Sequence, residues 1–223
     1  MTVMTEPEAN AVRGRLEKLP HPVRLLFFTQ ETECHSCRTT RDLLHELSNL
    51  GSTIDVEVYD FIRDAEIAEQ YGIDKIPAIA VIAEADTRMR FYGSPTGYEF
   101  ISLLQAIERA GNRQSGLSPE SLKRLHEIAT PVHLQVFVTP TCPYCPSAVV
   151  TAHQLAMAHP NIRADMVEAT EYPHLVQRYQ VVGVPQVVIN ESRHFEGALP
   201  EHLFIEQVLD AMRSTSTRPP IID

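Results

Sequence analysis

Thr141-Cys142-Pro143-Tyr144-Cys145-Pro146 carries two thiols three residues apart, after an apolar run at Val132–Val138 and before a helix-like segment at 147–158. Cysteines so spaced at a helix start share one face, with Cβ atoms about 5–6 Å apart. A disulfide can close there with little backbone movement. The positive end of the helix favours an anion, so the outer sulfur, Cys142, is expected to ionise more readily than a free thiol. Pro143 suits the first helical turn, where its missing N–H would go unpaired anyway. The chemistry on offer is thiol–disulfide exchange. A Cys142 thiolate attacks a disulfide, and Cys145 then attacks Cys142, releasing the reduced product and closing the internal bridge.

The pattern occurs twice. Cys34-His35-Ser36-Cys37 follows an apolar run at 23–28 and precedes a helical pattern at 38–50. Cys34, Cys37, Tyr71 and Pro77 each recur 108 residues later, as Cys142, Cys145, Tyr179 and Pro185. A fixed offset of this size marks two whole domains, expected at 1–116 and 117–223.

Composition narrows the class. An apolar fraction of 43% lets each half bury a modest core. The net charge is −10 with no basic patch, which argues against nucleic acid or an anionic membrane surface as partner. The first ten residues are acidic and polar, unlike a signal peptide, and no apolar run approaches a membrane span. A soluble, cytoplasmic protein is expected, where a CxxC pair reads as catalytic or metal-binding before it reads as a structural staple.

The elements that must position these thiols follow from periodicity. The expected order in the first half is a helix at 11–19, a strand at 23–28, a helix at 38–50 and a strand at 54–59. A short helix at 64–71, a hairpin at 78–92 and a helix at 97–110 follow, the last with Phe100, Ile101, Leu104 and Ile107 inward. Residues 111–118 read as the linker, and Ser118-Pro119-Glu120 as a helix start that runs to 129. The second half repeats the order at 132–138, 142–158, 163–167, 172–179, 186–190, 194–196 and 202–212, before a polar tail from 214 expected to be loose. Each half reads α-β-α-β-α-β-β-α, an α/β fold with a central mixed sheet and helices on both faces.

Strand, CxxC at a helix start, then Ile76-Pro77 or Val184-Pro185 before a hairpin resembles the thioredoxin fold. Two such units with intact CxxC resemble the glutaredoxin-like protein disulfide oxidoreductases. The resemblance implies attacking thiols at Cys142 and Cys34, and resolving thiols at Cys145 and Cys37. It also implies cis prolines at Pro185 and Pro77, which with Val184 and Ile76 would face substrate. Pro143, Tyr144, His35 and Ser36 would tune the two sites. Protein disulfides would be the substrates, a thioredoxin-reductase-type flavoenzyme the electron donor, and no cofactor or metal beyond the redox disulfides is implied. Departures are visible. The glutaredoxin Gly-Gly-x-Asp stretch is replaced by Glu196-Gly197-Ala198-Leu199-Pro200. Glu33 and Thr141 stand where thioredoxins have Trp. The thioredoxin buried acid falls at Phe28 and Val136, so a proton acceptor for the resolving thiol must come from elsewhere or from water.

Competing readings exist for each feature. Zinc ribbons bring cysteine pairs within roughly 15–20 residues, far less than the separation here. His35, when protonated, could stabilise a Cys34 thiolate, or could simply be solvated; Arg38 has the same two readings. Tyr71 and Tyr179 read as core anchors. At the level of the whole chain, one alternative is the electron-relay module of an alkyl hydroperoxide reductase system. Another is a non-catalytic zinc- or peptide-binding protein.

Overall fold

The computed structural model describes residues 4–32 and 34–216; Glu33 and the tail beyond Ser216 lie outside the described residues. In the first half, α1 (Glu6–Leu16), β1 (Val23–Thr29), α2 (Cys37–Leu50), β2 (Ile54–Asp60), α3 (Ala65–Gln70), β3 (Ala78–Ile82), β4 (Asp86–Tyr92) and α4 (Glu99–Asn112) follow one another. In the second come α5 (Pro119–Leu125), β5 (Val132–Val138), α6 (Cys145–Ala158), β6 (Ile162–Glu168), α7 (Pro173–Arg178), β7 (Gln186–Ile189), β8 (Arg193–Glu196) and α8 (Glu201–Ser216). The element order is the expected one in both halves.

Several boundaries differ from the sequence reading, for local reasons. Helix α1 begins at Glu6, not at 11, because the Glu8 carboxylate accepts from both the N–H and the hydroxyl of Thr5 and fixes the first turn. Helix α5 starts as expected, with Ser118 Oγ accepting from Ser121 N–H, but stops at Leu125 rather than 129. Helix α4 continues to Asn112, so the connection begins at Arg113, whose φ of 55° ends the helix. Gly111 therefore lies inside α4, and a Cβ there would sit 3.1 Å from Leu19 Cδ2. Helix α8 extends through Ser216, into the start of the segment expected to be loose.

Ile101 is exposed, contrary to expectation, and Leu103 is buried in its place. At 100° per residue Ile101 lies almost opposite Leu103. Helix α4 buries one side against α1 and another against α6, and Ile101 falls outside both.

The sheets of the two halves are continuous: one eight-stranded sheet has the order β2-β1-β3-β4-β6-β5-β7-β8. The seam is a parallel pairing of β4 with β6, Met89 opposite Ala164 through Tyr92 opposite Val167. Joining at this edge covers the ladder groups that β4 and β6 would otherwise expose. Side chains lock the seam. Arg163 donates to the Gly72 carbonyl at 2.7 Å and to the Tyr92 hydroxyl at 2.6 Å, and its Nε pairs with Asp165 at 2.9 Å. Asp165 is fully buried and also meets His133 Nε2 at 2.6 Å. These two partners hold its carboxyl well below the usual range despite burial.

Candidate active site

Both CxxC pairs are disulfides, with Cα atoms 5.5 Å apart for Cys142–Cys145 and 5.4 Å for Cys34–Cys37. Each lies where a strand, β5 or β1, gives way to the following helix. Helix α6 begins at Cys145 with Tyr144 as its N-cap, so Cys142 and Pro143 precede the helix, and it is Pro146 that occupies the first turn. This corrects the expected start at 142. After Val138 the chain must turn, and Cys142 N–H closes that turn on the Thr139 carbonyl at 3.1 Å. The correction leaves the outer sulfur beyond the helix end, where the N–H groups point. Cys145 N–H approaches Cys142 Sγ at 3.2 Å.

Cys145 is fully buried and Cys142 is 8% exposed. The Val184 carbonyl oxygen lies 3.8 Å from Cys142 Sγ, and the Val184–Pro185 bond is cis. Tyr144, inside the CxxC, and Val182, two residues before Val184, are 72% and 86% exposed.

The first half reaches into this site. Tyr98 N–H donates to the Pro140 carbonyl at 3.0 Å, two residues before Cys142. Gly97 has a φ of +61°, and a Cβ on it would meet the Pro140 oxygen at 2.2 Å, so only glycine allows the approach. The next residue after Tyr98, Glu99, opens α4, which packs on α6. Its side chain is buried, Oε2 accepts from Ser102 Oγ at 2.6 Å, and Oε1 has no partner. Burial pushes this carboxyl up to about 7, against the Ser102 hydrogen bond. Nothing in the local sequence marked Glu99, which follows the Tyr98 contact with Pro140 of the other half.

The first disulfide is bordered in the opposite sense. Cys37 is buried, Cys34 and Ser36 are half-buried and His35 is exposed. Ser36 is the N-cap of α2 and its hydroxyl donates to the Glu171 carboxylate of the second half. The other Glu171 oxygen accepts from Ser94 N–H at 2.7 Å. Tyr172 Oη donates to the Pro77 carbonyl at 3.2 Å, and the Ile76–Pro77 bond is cis. A Cβ on Gly93, beside this site, would lie 2.6 Å from Glu168 Cβ, whereas nothing lies within 4 Å of the same point on Gly197 beside the second site. The opposite half packs beside Gly93 at the first pair, while the space beside Gly197 at the second is open; of the two outer cysteines, Cys34 is nevertheless the more exposed.

Other candidates fall elsewhere. Tyr71 is half-buried and Tyr179 buried, both packed in the smaller core cluster, and Arg38 is exposed. Among the described residues no group of three or more His, Cys, Asp or Glu side chains is placed to hold a metal ion. No helix among them is long and apolar enough to cross a membrane. A cavity of about 320 Å³ is lined by Met4, Val12, Leu43, Thr96, Gly97 and Phe100.

A family model described as a thioredoxin domain matches residues 132–210. Among solved structures, a protein disulfide oxidoreductase from Aeropyrum pernix K1 is 27% identical, with a TM-score of 0.88 over 94% of both chains. AhpF, a component of the alkylhydroperoxide reductase of Enterococcus faecalis, is 25% identical, with a TM-score of 0.85 over 92% of this chain and 99% of that one. Of curated relatives, an NADH dehydrogenase of Bacillus subtilis is 25% identical over 79% of this chain and 32% of its own. The corresponding alkyl hydroperoxide reductase component of Escherichia coli K12 is 23% identical over 84% of this chain and 34% of its own. The chain thus spans about a third of the length of the curated relatives it matches.

Proposed function

We propose that this chain, which belongs to the thioredoxin-like proteins and carries two CxxC disulfides, works as a protein dithiol–disulfide oxidoreductase with one domain on each side of residue 116. The observation that carries the reading is the approach of Cys145 N–H to Cys142 Sγ at the end of α6, with the Val184 carbonyl on the other side of the sulfur. A reduced Cys142 would leave that N–H and the helix end facing a thiolate, which lowers the cost of the charge.

In the reducing direction, the Cys142 thiolate attacks one sulfur of a substrate disulfide and expels the other as a thiolate. The Cys145 thiol then passes its proton to Glu99, attacks Cys142 Sγ and expels the second substrate thiolate. The substrate gains two electrons and, with protons from water, becomes a dithiol; the enzyme gains its disulfide. Glu99 is assigned the acceptor role because it is buried at the start of α4, which packs on α6, with Oε1 unpartnered, and because burial raises it to about 7. Val184, Pro185, Tyr144 and Val182 would contact the substrate chain, with Pro143 modulating Cys142. Cys34 and Cys37 would do the same chemistry at the first site, with Ile76, Pro77, His35 and Ser36 around them. Electrons would come from a thioredoxin-reductase-type flavoenzyme in the cytoplasm.

The test is trapping. Cys145→Ser leaves the first attack intact and removes the second. Incubation with a disulfide-containing protein such as insulin should then accumulate a mixed disulfide on Cys142. No adduct, with Cys142 reduced at the start, contradicts the mechanism.

A second reading, an electron relay to a peroxide-reducing partner, is favoured by the alkyl hydroperoxide reductase relatives. It is separated from the first by offering the reduced chain an oxidised two-cysteine peroxidase and insulin together. Exclusive reduction of the peroxidase supports the relay.

A further inference from the structure

We propose that Glu171, supplied by the second half, is a positioning residue for the first disulfide: its negative charge holds the Ser36 and Ser94 turns and disfavours the Cys34 thiolate. This inference rests on the exchange chemistry proposed for Cys34 and Cys37.

The geometry is specific. One carboxylate oxygen takes the hydroxyl of Ser36, inside the CxxC itself, and the other takes the N–H of Ser94, in the turn after the hairpin. One acid thus ties together two loops of the first half that border its disulfide. Gly93 makes room, since a Cβ there would meet Glu171 Oε1 at 2.9 Å and Glu168 Cβ at 2.6 Å. At the second site the space beside Gly197 is open, and Tyr144, in the place of Ser36, is exposed. The two pairs, alike in spacing, therefore sit in different fields.

The charges facing Glu171 come from each element around it. Glu168, at the end of β6, opposes its ionisation, and burial does so more strongly. Ser36, Ser94 and His35, from the first half, favour it. Tyr172, next in the chain, stays protonated beside it. Once ionised, the carboxylate is bonded to Ser36, two residues from Cys34, and raises the free energy of a second anion there. A less stable thiolate means a more reducing pair. The first site would then be the electron-donating partner of the two, held so by a residue of the other half.

The experiment uses the full chain carrying Cys142→Ser and Cys145→Ser, so that only the first pair reports. Its exchange constant with glutathione is measured at pH 8, together with the rate of Cys34 alkylation against pH. Glu171→Gln keeps the size and an acceptor but removes the charge. It should lower the pH of Cys34 ionisation by about one unit and weaken the disulfide about tenfold, or about 30 mV. Glu171→Asp, which keeps the charge, should stay near wild type, a distinction that a packing role alone does not make. If Glu171→Gln does not fold, the wild-type chain gives the second measurement: Cys34 should ionise at higher pH than Cys142, and the reverse order overturns the inference. A pair that exchanges with glutathione yet ignores Glu171→Gln overturns it too, and leaves the exchange chemistry standing. A pair that does not exchange at all removes the functional reading of this site together with the inference.

Discussion

Tyr98 of the first half and Pro140 of the second are joined by a backbone hydrogen bond of 3.0 Å, two residues from Cys142. The bond requires Gly97, whose left-handed backbone lets the two segments touch. Gly97→Ala adds a Cβ 2.2 Å from a backbone oxygen that cannot swing aside. The expected result is a loss of about 2–4 kcal/mol in urea unfolding, with a larger fall in Cys142-dependent than in Cys34-dependent exchange. Wild-type stability would mean the contact is not there.

Glu99 and His153 give stability opposite slopes with pH. Glu99 titrates at about 7 when folded, above its ordinary 4.5. The folded state keeps that proton longer, so its contribution is present below pH 4.5 and is lost as pH rises towards 7. His153, fully buried with Nε2 on the Arg90 carbonyl at 3.2 Å, is lowered from 6.5 to about 4. Here the unfolded state binds the proton first, so stability is present above pH 6.5 and is lost as pH falls towards 4. Each amounts to about 3 kcal/mol. Glu99→Gln should therefore flatten the decline above pH 4.5 and expose the His153 slope alone. In a chain that keeps Cys145, it should also slow resolution of the Cys142 mixed disulfide about ten- to a hundredfold. Unchanged resolution with a changed stability profile would reduce Glu99 to a structural acid.

Asp165 anchors the seam. Asp165→Asn removes the charge between Arg163 and His133 and loosens the hold of Arg163 on Gly72 and Tyr92. A destabilisation of about 3–5 kcal/mol is expected in thermal or urea unfolding at pH 7. Because the carboxyl is depressed, the wild-type advantage is present above about pH 4 and is lost as pH falls below it. Equal stability of the two proteins at pH 7 would show that the seam does not depend on this pair.

Much of this was legible in the chain. Cys34, Cys37, Cys142 and Cys145 announced themselves by spacing, and the 108-residue offset with Pro77 and Pro185 fixed the duplicated order of elements. Hydrophobic periodicity found strands such as Val132–Val138, because a strand buried on both faces has one reading. Helix ends were less legible. Thr5 and Glu8 form a cap that the apolar pattern from Val12 onward conceals, and the turn after Val138 delays α6 to Cys145. Glu99 and Glu171 were invisible for a different reason. Glu171 bonds Ser36 across the seam and Glu99 follows the Tyr98–Pro140 contact, and no local pattern encodes a partner that distant.

The different surroundings of the two pairs predict unequal work. Cys142→Ser should remove most insulin-reducing activity at pH 7, about tenfold or more, while Cys34→Ser should remove less, since Tyr144 inside the second CxxC is exposed whereas Ser36 inside the first is bonded to Glu171. Equal losses would mean that large substrates reach both pairs alike.

The ionisation of Cys142 bears on the whole mechanism most directly. Its rate of alkylation by iodoacetamide should be followed from pH 5 to 10 in reduced protein carrying Cys34→Ser and Cys37→Ser, with Cys145→Ser to isolate the signal. With the N–H of position 145 and the end of α6 facing the sulfur, half-maximal rate is expected roughly one pH unit or more below that of a cysteine in an unstructured peptide. A midpoint at or above the peptide value would contradict the account.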